Sequence, residues 1–169
     1  MEEARMKIWS AVALAMLLSL GSAHADVLQT AFDAVNARLK IDGGGLVLYQ
    51  ASCRHPLDPN DNREFVGSST VVFINKSDQA VLINTGLCNG GNGSGQHLVV
   101  IRNAEPNIIT NIGIQDMNFL ADHMYAEGDS LFLYGSRWLQ NDPHCCPSRK
   151  ATLEYNIKTQ EHKLALVPK

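Results

Sequence analysis

Asn141-Asp142-Pro143-His144-Cys145-Cys146-Pro147-Ser148 sets two adjacent cysteines between two prolines, and no other stretch narrows so far what this chain can fold into. Each proline fixes its own φ at about −65° and biases the residue before it towards extended backbone. Neither a helix nor a central strand runs through such a segment, so it reads as a rigid, crosslinked corner between other elements. The reading of its thiols depends on where they mature. Residues 1–25 carry basic Arg5 and Lys7, an apolar run from Ile8 to Leu20 broken only by Ser10 and Ser19, and small residues leading to Ala23-His24-Ala25. That is the pattern of a secretory signal cleaved before Asp26, which delivers the cysteines to an oxidising compartment. Glu2 and Glu3 are unusual at such a start and Met6-Lys7 would make a cleaner one, with the same mature chain either way. The apolar run is shorter than the ~20 residues a spanning helix needs. The first cysteine is Cys53, so no lipid-anchor cysteine stands at the cleavage point, and the expected product is soluble in the periplasm or secreted.

Cys53, Cys88, Cys145 and Cys146 allow three full pairings. A bond between neighbours needs a distorted peptide unit, so the expectation is two long bonds, from Cys145 and Cys146 to Cys53 and Cys88. In the chain-entropy model each would contribute roughly 3–4 kcal/mol.

Residues 26–169 are the size of one domain with a single core. The signal removes two acids and two bases, which leaves the formal net charge at −3. With no basic run to follow a phosphate backbone, nucleic acid is a poor partner, and no further segment is apolar enough to span a bilayer. Leu28, Ala31, Phe32, Val35 and Leu39 recur at helical spacing, which predicts one amphipathic helix over Val27–Leu39, capped by Asp26 and stopped at Asp42-Gly43-Gly44-Gly45. Strands then follow: Leu46–Gln50, Phe65–Asn75, Ala80–Asn84, His97–Arg102, a further one from Pro106, Phe119–Tyr125, Ser130–Trp138, and a final hairpin of Ala151–Ile157 and Lys163–Val167. In Ser130–Trp138, Leu131 and Leu133 alternate with Phe132 and Tyr134, so both faces are apolar and a central strand covered on two sides is expected. The fold class is mainly β, an antiparallel β-sandwich or strongly curved sheet with one N-terminal amphipathic helix.

The same octapeptide, with a strand before it and the alternating strand Thr152-Leu153-Glu154-Tyr155 after it, resembles the C-terminal signature of poorly characterised bacterial envelope proteins, including mycobacterial lipoproteins of the LppP/LprE type. The hairpin from Ile112-Gly113-Ile114 through Leu131-Phe132-Leu133 and the segment Gly90–Val100 resemble theirs too, so the likeness covers about the last half of the chain. Those proteins carry an Asp-x-x-Gly-Asp-Gly turn where this chain has Asn75-Lys76-Ser77-Asp78-Gln79, which puts a calcium-stabilised turn there in doubt. The resemblance implies an envelope location and this fold, and no particular chemistry.

Gly86–Gly95 lacks the Gly-Lys-Ser/Thr ending of a phosphate loop and lies between strands, so it reads as a flexible loop whose Asn89, Asn92 and Ser94 are candidates for recognition. Asp58, Asn60, Asn62 and Glu64 alternate as in a calcium loop, but Arg63 stands where the turn glycine belongs. His144 beside Cys145 suggests zinc only if the thiols stay reduced. Ser94, His97 and Asp116 can be named as a hydrolytic set without any surrounding motif that marks them. No cofactor or metal is therefore expected. Arg137-Trp138 reads as a core tryptophan beside a crosslink, or alternatively as an exposed anchor. Together with His144 and the glycine-rich loop, that corner is the expected binding region. The resulting expectation is an exported, non-enzymatic protein that binds a protein or cell-envelope component, with an inhibitor or immunity-type antagonist as one form. The alternative is a small envelope hydrolase or thiol-active enzyme, and the oligomeric state is open.

Overall fold

The computed structural model describes residues 25–41, 43–53, 60–90, 94–112, 117–143 and 146–168. Most of the proposed signal, Asp58, Asn92, Asp116, His144 and Cys145 lie outside them. Helix α1 (25–41) is longer than the expected span, and Asp26 sits within its first turn instead of capping it. Its end is as expected. Gly43 takes a φ of 78°, and the Gly43 and Gly44 N–H groups donate to the carbonyls of Lys40 and Leu39. Among the described residues no helix is long and apolar enough to cross a membrane.

Among the described residues nine strands follow: β1 (Gly45–Val47), β2 (Arg63–Phe73), β3 (Asp78–Leu87), β4 (Ser94–Arg102), β5 (Glu105–Asn111), β6 (Phe119–Glu127), β7 (Ser130–Arg137), β8 (Arg149–Asn156) and β9 (His162–Leu166). They form two sheets in sequential order, β1 to β5 and β6 to β9. Every pairing is antiparallel except β1 with β2. Instead of continuing to Gln50, β1 gives way to a 3₁₀ turn at Gln50–Ser52. Asn75 organises the β2–β3 turn, its Oδ1 accepting the N–H groups of Ser77 and Asp78.

Three layers result. Ala31 and Val35 of α1 pack on Val81, Ile83, Val99 and Ile101, on one face of the larger sheet. On its other face Ala80, Leu82, Leu98 and Val100 meet Phe119, Met124, Leu131, Leu133, Leu153 and Tyr155 from the second sheet. The strands buried on both faces are therefore β3 and β4, whose apolar runs are continuous. The expectation for Ser130–Trp138 needs correction. Strand β7 is central in its sheet, but only its Leu131 and Leu133 face is packed, while Phe132 and Tyr134 are half-buried on the outer side.

The expected disulfides are also corrected. Cys53 pairs with Cys88, with their Cα atoms 5.4 Å apart. Cys146 is separately disulfide-bonded. Parallel pairing lays β1 along the start of β2, and the 3₁₀ turn then leads into Cys53. From the other side, the Cys88 N–H donates to the Arg63 carbonyl at 2.9 Å, which brings its thiol to the same place.

Candidate functional site

The ends of β3, β5 and β7 and the starts of β2, β4, β6 and β8 gather at one end of the sandwich. Of the candidate binding residues, the described ones, Asn89, Ser94, Arg137 and Trp138, belong to this end. Asn89 follows β3 in a turn and is half-buried, and Ser94 opens β4. Arg137 ends β7, exposed. Trp138 is half-buried; its backbone N–H donates to Asn118 and its indole N–H to the Pro143 carbonyl, at 3.2 Å. Asp142 braces the corner, its carboxylate accepting the Leu139 N–H, the Ser148 N–H and the Ser148 hydroxyl at 2.8, 2.9 and 2.7 Å. The bonds from the Leu139 backbone and Ser148 hold this carboxyl below its ordinary pKa. The aspartate and serine of the octapeptide thus fix the shape of the turn.

Beneath these loops runs a belt of polar side chains on both faces of the larger sheet. On the helix side, Glu64 Oε2 accepts the Thr85 hydroxyl at 2.5 Å and lies 2.7 Å from His97 Nε2. Burial alone would raise the Glu64 carboxyl, but the hydrogen bonds from His97 and Thr85, with the charge on His97, outweigh it and hold the pKa below the usual value. Gly95 leaves room for the cluster, since a β-carbon there would overlap the Thr85 hydroxyl. Next to it, Arg63 clamps buried Asp61 through two bonds of 2.7 Å. Asp61 also lies close to both disulfide sulfurs, the one group among the described residues with metal-ligand spacing. Its two thiols are already spent in the disulfide. In the suggested calcium loop, Glu64 is directed to Thr85 and His97.

On the inter-sheet side Gln96, 2% exposed, reaches across to β6. Its Oε1 accepts the Ala121 N–H at 2.6 Å, and its Nε2 donates to the Ala121 carbonyl at 2.8 Å and to Asn84 at 2.6 Å. The β6–β7 register slips here, between Ala121 and His123. Gly135 makes the slip possible, because a β-carbon would overlap the Leu120 carbonyl. Gln96 serves the Ala121 backbone groups in the manner of a missing strand partner. The bulge inverts the side-chain alternation of β6. Phe119 and Ala121 point inward, and beyond it Met124 is the buried residue, which turns His123 and Tyr125 outward.

There they meet Phe132 and Tyr134 in one row of stacked rings. His123 and Tyr134 are direct cross-strand partners with ring centres 4.9 Å apart, and Tyr125 and Phe132 are another such pair at 5.1 Å. Tyr125 and Tyr134 close the row diagonally at 5.7 Å, with their hydroxyls 3.2 Å apart. That hydrogen bond, with partial desolvation, pushes the Tyr125 phenol up to about 12. Ion-paired and polar groups border the row: Lys150 with Asp122 at 3.0 Å, and Glu154 accepting from Ser130. An open cleft of about 470 Å³ lined by Glu154, Asn156, Glu161, His162 and Lys163 lies beside it. The sequence reading missed this row. Its signal was the pairing of Phe132 and Tyr134 with His123 and Tyr125, visible only once the register is known.

No family model, curated protein or solved structure matches this chain.

Proposed function

We propose that this chain is an exported, disulfide-braced binding protein without catalytic activity, and that it engages a protein or cell-envelope partner through the outer face of β6 and β7. One observation carries the reading: a continuous row of four aromatic rings on a solvent-facing sheet, bordered by polar and ion-paired side chains. Aromatic centres with polar rims are the make-up of protein interfaces, where rigid rings bury large area at little entropic cost. Export is supported by the pattern of residues 1–25, by the Cys53–Cys88 bond and by the likeness of Asn141–Ser148 to envelope proteins. An inhibitor or immunity-type antagonist is one form such a protein takes.

The hydrolase alternative draws on the Glu64–His97 pair. Thr85 donates its hydroxyl hydrogen bond to the carboxylate and not, as a nucleophile would, to the imidazole, and the trio is bonded to itself at the base of the loops. The test uses the mature domain as bait in periplasmic extract, beside a Tyr125→Ser/Phe132→Ser variant and a reduced, alkylated control. A partner retained by the native domain and lost by the variant at similar melting temperature supports the proposal. Equal retention by the variant contradicts it.

A further inference from the structure

We propose that Tyr125 and Tyr134 form an oxidative crosslinking site, at which their phenols couple through ring carbons into an intrachain dityrosine that fastens β6 to β7. The two rings lie 13° from parallel with centres 5.7 Å apart, while their hydroxyls are 3.2 Å apart. The phenol ends are thus the nearest parts of the two rings, and the ortho carbons beside the hydroxyl-bearing carbons belong to those ends. Phe132 stacked on Tyr125 and His123 stacked on Tyr134 hold the phenols towards one another. Coupling is then a unimolecular event between positioned groups, favoured over encounter with a second chain. The site is open to an oxidant, with Tyr125 38% exposed. The chain has four tyrosines. Of the other two, Tyr155 is buried, and Tyr49, 68% exposed, follows β1 in the other sheet, where it is placed to couple only between molecules.

The oxidant class is hydrogen peroxide used by a haem peroxidase. Each phenol loses one electron and one proton, leaving a radical with spin density on its ortho carbons. Two ortho carbons form the new bond, and their hydrogens shift to the oxygens and restore both phenols. The two electrons and two protons removed convert one peroxide to two waters. No partner is needed, so failure here leaves the binding proposal standing.

The experiment treats dilute, disulfide-intact protein with peroxidase and peroxide, isolates the monomer, and digests it at Glu127 and Asp129, which separate the two tyrosines. The expected result is dityrosine fluorescence in the monomer, a mass lower by two hydrogens, and peptides bearing Tyr125 and Tyr134 that stay joined. Tyr125→Phe and Tyr134→Phe, which keep the stacked rings, each abolish this product, while Tyr49→Phe leaves it. Dityrosine confined to dimers, or its absence from the monomer, overturns the proposal.

Discussion

Gln96 and Glu64 are single side chains on which a whole end of the molecule depends. Replacing Gln96 with leucine keeps most of the volume but strands the Ala121 N–H and carbonyl in a buried place. Unsatisfied buried groups cost about 1–3 kcal/mol each, so thermal or denaturant unfolding of Gln96→Leu is expected to show a loss of about 2–4 kcal/mol. Glu64 acts through its charge. Its folded pKa lies below its unfolded value, so its contribution is fully present above the ordinary carboxylate range and is lost as pH falls through the folded pKa. Glu64→Gln should therefore melt lower than the native protein at neutral pH, with the gap closing below about pH 4. Melting curves across that range check it, and a gap independent of pH would show that charge plays no part.

Turns and bulges decide the elements. In the β4–β5 hairpin, Asn103 and Ala104 have φ of 51° and 66°, the left-handed region that two-residue hairpin turns require. Asparagine tolerates it, but alanine is strained there, so Ala104→Gly is expected to raise stability by about 0.5–1 kcal/mol, read as a higher melting temperature. Much at this scale was legible in the chain. The runs Val81-Leu82-Ile83 and Leu98-Val99-Val100-Ile101 announce strands, though the covering on both faces was expected of Ser130–Trp138 instead, and the glycines after residue 42 announce the helix end. The β6 bulge was not legible, because it depends on a glutamine from another sheet and on the missing β-carbon of Gly135. Without the bulge, His123 shares a face with Ala121, and the aromatic row cannot be seen. The Cys53–Cys88 pairing was hidden for a similar reason: it follows from a three-residue parallel strand that no local pattern predicts. The octapeptide was readable as a corner, though the hydrogen bonds to Asp142 that shape it were not.

Among the described residues, helix, large sheet and small sheet stack in that order, and the outer face of the small sheet carries no covering layer. The disulfide spans 35 residues and ties the 3₁₀ turn after β1 to the exit of β3. In the chain-entropy model a loop of that length is worth about 3–4 kcal/mol, and a Cys53→Ser/Cys88→Ser variant is expected to lose about that much in denaturant unfolding. Function turns on whether the uncovered aromatic face meets a partner. The most direct measurement places a photo-crosslinking amino acid at Phe132, with a control at exposed Arg38 on α1, and irradiates intact cells of the native host. A discrete adduct from position 132 and none from position 38 is the predicted result; no adduct from 132, or the same adduct from both, would contradict it.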